Sequence, residues 1–121
     1  MAYEPTIRVL HLPCEGAPRG LHVANTAQAL GKLIGGYLEV FQIPGITRDP
    51  MNDPIGLCDA DGYVKDPPRD DNVYGMILTR HPIAGDIVIV RADPEGDFVS
   101  LTNDDIRRLR EHMRLILIQV G

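Results

Sequence analysis

Arg107, Arg110 and Arg114 follow one another at i, i+3 and i+7, so a helix through them carries three guanidinium groups along one ridge. Such a row has the charge and fork geometry to clamp a phosphate, a small anionic ligand or the acidic patch of a partner protein. The competing reading is a solvated helix face, with the arginine stems laid over apolar surface and Asp104 and Glu111 screening the charge. A charged helix face is more often the latter. The ridge is therefore a candidate binding site for a ligand or partner, and not a catalytic one.

The other residues that could do chemistry lack the spacing for it. Asp49, Asp53, Asp59, Asp61, Asp66, Asp70 and Asp71 form an acidic stretch, and Asp59-Ala60-Asp61-Gly62 is similar to the middle of a calcium loop. In that frame Leu57 would be the first ligand and Pro68 the twelfth, and neither has a carboxylate. Aspartates that open turns and cap helices account for the stretch better. His11, His22, His81 and His112 never stand at i, i+4 or in a Cys/His pattern, so no metal site is expected. Cys58 has no neighbouring histidine to lower its pKa and reads as a small core residue. Ser100, the only serine, lies in no G-x-S-x-G elbow. No phosphate loop or G-x-G-x-x-G fingerprint occurs, because Gly31, Gly35 and Gly36 sit at the wrong end of a helix. No catalytic residue and no cofactor are expected, and enzyme chemistry is the least supported reading.

Composition narrows the partners. Twelve basic and seventeen acidic residues give a formal charge of −5, so a general affinity for nucleic acid is not expected. Six aromatic residues without a tryptophan are a thin supply for stacking bases. Cys14 and Cys58 lie far apart, and free thiols in a reducing compartment fit them better than a disulfide scaffold. The start, Met1-Ala2-Tyr3-Glu4-Pro5, lacks a basic and an apolar signal region. The longest apolar runs, Ile87–Val90 and Leu115–Ile118, fall far short of the roughly 20 residues that span a bilayer. A cytoplasmic protein without a membrane segment is expected. At 121 residues with 44% apolar content, the chain reads as one domain over 1–121 with a real core.

The elements that must position these side chains are legible from periodicity and punctuation. Residues 6–12 are β-branched and apolar and read as a strand; Pro13 to Gly20 reads as a loop. Asn25 or Thr26 caps a helix whose face holds Ala27, Leu30, Leu33, Ile34 and Tyr37, and Gly35-Gly36 stops it. A strand follows over 38–43, and then an exposed loop over 44–54. Residues 55–60 and 63–65 flank Asp61-Gly62 and read as a hairpin. After Pro67-Pro68, Asn72 with Asp70 and Asp71 caps a short helix through Leu78. Ile87–Val90 reads as a central strand, Asp93-Pro94-Glu95-Gly96 as a type I turn, and Phe98–Leu101 as the returning strand. Thr102 and Asp105 form a shortened capping box for the last helix. Its stripe is Ile106, Leu109, Met113, Ile116, Leu117 and Val120; Leu115 and Ile118 fall off it and are the candidate self-association residues of a homo-oligomer. The order β-α-β-β-β-α-β-β-α predicts an α+β fold, a mixed or mainly antiparallel sheet with helices packed on one face.

At the helix-glycine-strand junction the chain resembles a known family. Leu33-Ile34-Gly35-Gly36-Tyr37-Leu38-Glu39-Val40 looks like the signature of the domain-of-unknown-function family numbered 3846. Asp59-Ala60-Asp61-Gly62, Asn72, Ile83-Ala84-Gly85 with Asp86–Val90, and Leu101-Thr102 with Asn103–Ile106 agree in order and spacing. Where that family tends to place alanine three residues after the asparagine, this chain has Gly75. The resemblance, over roughly residues 23–113, implies a setting in phages, plasmids and bacteria such as actinobacteria, and brings no established activity. Together these features lead to a small non-enzymatic binding protein that contacts a host or phage protein. The alternative is a protein that sequesters a nucleotide or signal molecule.

Overall fold

The computed structural model describes residues 4–46 and 53–120, with side chains through Arg114. Six strands and three helices follow in the order β1 (Thr6–Leu12), β2 (Arg19–Ala24), α1 (Ala27–Ile34), β3 (Leu38–Gln42), β4 (Ile55–Asp59), α2 (Val73–Thr79), β5 (Ile87–Ala92), β6 (Phe98–Val99) and α3 (Asn103–Val120). The strands form one open sheet ordered β2-β1-β5-β4-β3, with β6 added beside the end of β5, and every pairing is antiparallel. The α+β class is as expected.

β1 and β5 lie at the centre because their residues are apolar on both sides, as a strand covered on both faces must be. Leu10, Leu12, Ile87 and Ile89 point to one face, where they meet Ile77 and Leu78 of α2 and Ile106, Leu109 and Met113 of α3. Ile7, Val9, Val88 and Val90 point to the other, with Leu57, and are covered by Leu30 and Ile34 of α1. The helices therefore divide between the two faces of the sheet, where a single face was expected. The continuous apolar run Ile87–Val90 already carried that information, because a strand with helices on one face only would alternate.

Two local expectations also change. Residues 19–24 form β2, an edge strand paired with β1 from Thr6↔Ala24 to His11↔Arg19. Its alternation of half-buried Leu21 and Val23 with exposed His22 and Ala24 is period-2 patterning that Gly16, Pro18 and Gly20 obscured. Residues 63–65 do not return as a strand. β4 is flanked by β3 on one side and β5 on the other, so a hairpin partner would have no edge to occupy. Instead Asp59 accepts the Asp61 N–H at 3.0 Å, and the chain winds on through a turn closed by Val64 N–H and Lys65 N–H onto the Asp61 carbonyl, both at 3.1 Å.

The caps form as their residue types demand. The Thr26 hydroxyl accepts from Ala29 N–H at 3.0 Å, and Gly35 ends α1 in the left-handed region at φ +82°. Thr102 N–H donates to Asp105 Oδ2 at 2.9 Å and Asp105 N–H to Thr102 Oγ1 at 3.0 Å, a complete reciprocal box with the shorter acid. Asn72 does most. Its Oδ1 caps α2 by accepting Tyr74 N–H at 2.9 Å, while its Nδ2 donates to the Leu12 and Gly85 carbonyls, each at 2.9 Å. Gly75 lets α2 approach the sheet: a Cβ there would stand 2.8 Å from Ile83 Cβ and 3.0 Å from Ile87 Cδ1.

Candidate functional site

The C-terminal end of α1 forms one wall of a cleft of about 270 Å³. Lys32, Leu33, Ile34 and Gly35 line that wall; Cys14, Arg69, Asp70, Gly85 and Asp86 line the rest. Helix ends leave carbonyls without partners, and here the Gly35 carbonyl accepts Lys65 Nζ at 2.6 Å and Arg69 Nη2 at 3.3 Å. Behind this end lies Asp59, whose side chain is fully buried and forms an ion pair with Lys65. Its carboxylate packs so closely on Gly36 that any side chain there would collide with it. Burial pushes the Asp59 pKa up, but the Lys65 ammonium, the Asp61 N–H and the Arg69 charge outweigh that and hold it below the usual carboxylate value. The helix-glycine-glycine-strand signature and the acidic turn are thus two halves of one buried charge contact.

The opposite wall is built by Asp86, ahead of β5, and the chain after β1. Asp86 Oδ2 meets His11 Nε2 at 3.0 Å, and Asp86 Oδ1 accepts the Cys14 N–H at 3.0 Å. His11 is buried, and its Nδ1 has no hydrogen-bond partner among the described residues. Asp86 thus holds an imidazole and the backbone of a cysteine on one carboxylate, but the thiol itself turns to the Asp70 carbonyl and is set the wrong way for nucleophilic catalysis. Burial, then the charges of Asp86 and Asp70, push the Cys14 pKa up, and its Sγ donates to the Asp70 carbonyl at 3.5 Å. The protonated thiol is a poor nucleophile. Asp86 here fixes the chain reversal after β1.

A second groove, of about 240 Å³, opens on the other face between β3, β4 and the α2–β5 connection. Phe41, Cys58, Tyr63, Val64, Pro82 and Ile83 line it, with Glu39 at its side. Cys58 lies buried on its floor, where burial and then the charges of Glu39 and Asp59 push the thiol up to about 11. Tyr63 reaches across to Asp71 through its hydroxyl; burial and that contact push its pKa to about 12. Val64 leaves 81% of its surface in water, and Tyr63 47%. Val64 and Tyr63 thus set exposed apolar surface at the mouth of a groove whose lining mixes apolar side chains with Glu39 and Asp59.

Sequence reasoning missed both clefts. Their walls come from segments remote in sequence, and the one advance signal was the surplus of apolar residues, Tyr63 and Val64, next to a polar turn. The arginine ridge lies elsewhere, on the exposed side of α3. Arg107 bonds Asp104 at 2.7 Å and Glu111 at 3.4 Å, while Arg110 and Arg114 have no ion-pair partner among the described residues. The side chains of Leu115 and Ile118 lie outside the described residues, as does Asp49. His22 and His81 are exposed and His112 half-buried, so His11 alone of the four meets a cleft residue. Among the described residues one group of potential metal ligands comes within 4.8 Å, namely Asp93, Glu95 and Asp97 in the β5–β6 turn. Asp93 Oδ1 there accepts the Glu95 and Asp97 N–H groups at 3.0 and 2.9 Å, which accounts for the cluster as a turn.

An open antiparallel sheet with one helix on one face and two on the other, and with its buried polar side chains tied to turns and caps, defines a small α+β domain. No helix among the described residues is long and apolar enough to cross a membrane. Residues 7–114 match the family described as Domain of unknown function (DUF3846), and the chain belongs to that family. No curated protein and no solved structure matches it.

Proposed function

We propose that this chain is a non-enzymatic interaction protein, an accessory protein of a phage or other mobile element that acts in the cytoplasm by holding a host or phage protein. The observation that carries the proposal is the groove between β3, β4 and the α2–β5 connection, with Val64 and Tyr63 exposed at its mouth. Apolar surface of that kind gains most from an apolar side chain of a partner, because binding removes both from water. The buried polar groups support the same reading. Asn72, Asp59 and Asp105 satisfy turns, caps and ion pairs, and both thiols are held protonated. The test is affinity capture from host lysate with the native chain and with Val64→Asp, a change at an exposed position that leaves the core intact. The expected result is a stoichiometric partner held by the native chain and lost with Val64→Asp. No stoichiometric partner, or one retained equally by both, would refute it.

A second reading is the sequestering of a nucleotide or signal molecule. It is favoured by one observation, that Lys32 and Arg69 line the cleft at the end of α1 together with the backbone of Gly35 and Gly85. Asp70 and Asp86 on the same walls weaken the field for an anion, which places this reading second. Native mass spectrometry with no retained ligand, and no thermal shift across a nucleotide panel, would remove it.

A further inference from the structure

We propose that two copies of this chain pair through β3, antiparallel about a two-fold axis at Val40, to give one continuous sheet across the dimer. β3 ends the sheet, and no described strand covers its outer side. The Ala60 N–H donates to the Tyr37 carbonyl at 2.9 Å, so Tyr37 and Ala60 are a hydrogen-bonded pair. Antiparallel ladders alternate, so Glu39–Cys58 and Phe41–Gly56 are bonded pairs too. The N–H and C=O groups of Leu38, Val40 and Gln42 therefore point outward, away from β4.

Edge strands of monomeric domains are usually blunted by lysine, proline or a bulge. The other edge, β2, carries Arg19, Gly20 and His22. β3, Leu-Glu-Val-Phe-Gln, has neither lysine nor proline within it, and it exposes 49% of Val40 and, at its start, 80% of Tyr37. Left bare, such an edge is a template for another strand.

The strand's own sequence selects a second copy and a single register. Outward groups meet outward groups when the axis passes through a residue, and only an axis at Glu39, Val40 or Phe41 then pairs three or more residues of the strand with its mate. An axis at Glu39 sets two carboxylates directly opposite each other, which is destabilising. An axis at Phe41 sets Leu38 opposite Pro44, which has no N–H to give. The axis at Val40 avoids both. It pairs Val40 with Val40, Leu38 with Gln42 and Glu39 with Phe41, and every outward N–H from Leu38 to Gln42 finds a carbonyl. Glu39 and Phe41 also line the groove of the proposed function, but Val40 does not, so variants at Val40 test the pairing while the groove mouth at Val64 is left unchanged.

Sedimentation of the native chain at micromolar concentration should give about twice the 13.4 kDa monomer mass. Val40→Pro removes an outward N–H in each copy and should weaken the dimer at least about tenfold with an unchanged circular dichroism spectrum. Val40→Lys, which sets two ammonium groups opposite each other, should act in the same direction and serves where the proline variant fails to fold. In a background lacking Cys14 and Cys58, Val40→Cys should cross-link to itself under mild oxidation, since such paired Cα atoms lie about 5.5 Å apart. Leu38→Cys, which faces Gln42, should not. A monomeric native chain would overturn the proposal, as would a dimer indifferent to both Val40→Lys and Val40→Pro, or equal cross-linking at positions 38 and 40.

Discussion

Asp105 fastens the start of α3 to the sheet, and replacing it with alanine measures how strongly. The carboxylate is 4% exposed; it accepts Arg91 Nε at 3.0 Å, a second bond from Arg91 Nη2, and the Thr102 N–H at 2.9 Å. Removing one member of a buried ion pair costs about 3–5 kcal/mol, while the Thr102 hydroxyl still caps the helix through the residue-105 N–H. Arg91 remains 21% exposed, so water recovers part of its solvation and the lower end applies. Asp105→Ala should then lose about 3 kcal/mol, a large share of the roughly 5–15 kcal/mol that holds a domain of this size together. With a urea slope of about 2 kcal/mol per M, the unfolding midpoint falls by about 1.5 M near neutral pH. The effect also has a defined pH dependence. Burial raises the Asp105 pKa, but the Arg91 contact and the Thr102 groups overcome this and hold it below 3.8. A depressed carboxylate contributes stability that is present above its unfolded pKa and lost as pH falls through its folded one. The gap between native and Asp105→Ala should therefore be full near neutrality and close below pH 3.8. A midpoint shift under about 0.5 M, or a gap as wide in acid as at neutrality, would refute the reasoning.

Three further outcomes follow from the same structure. Asn72→Ala strips four hydrogen bonds from a side chain in a 1% exposed residue and should cost about 3–4 kcal/mol, read by urea unfolding; a cost under about 1 kcal/mol would contradict the role given to this residue. Gly75→Ala, a stabilising change in an open helix, should instead destabilise by about 1–3 kcal/mol because its methyl group meets Ile83 and Ile87, and calorimetry showing a raised Tm would be the contrary result. Thiol alkylation at Cys58 should gain speed only as pH approaches about 11, well after a free thiol, so rapid labelling of Cys58 near pH 8 would show its burial to be wrong.

Local chemistry was the legible part of this chain. The stop at Gly35-Gly36, the Asn72 cap, the turn at Asp93 and the Thr102–Asp105 box each rest on neighbours within a few residues, and each forms as its residue types require. What periodicity could not supply was partnership between distant segments. Asp61-Gly62 has the composition of a hairpin turn, yet the edge its return strand would need is taken by β5, which begins only at Ile87. His11 and Cys14 meet Asp86 across gaps of 75 and 72 residues, and no spacing rule connects them. The groove of the proposed function was hidden for the same reason: Phe41, Val64 and Ile83 are ordinary apolar residues until the fold sets them around it. The arginine ridge drew attention because its spacing was local, and Arg107 is the member of it that proved to be neutralised within its own helix.

β1 and β5 send alternate side chains into two separate apolar layers, one beneath α1 and one beneath α2 and α3. Neither layer owns its strands. Peeling α1 away would wet one side of Val9, Val88 and Val90 while their backbone still served the opposite layer, so neither half can melt by itself and leave the other intact. The molecule should for that reason lose its structure in one step, and a partner seated on either face would feel, through those two shared strands, the firmness of the whole.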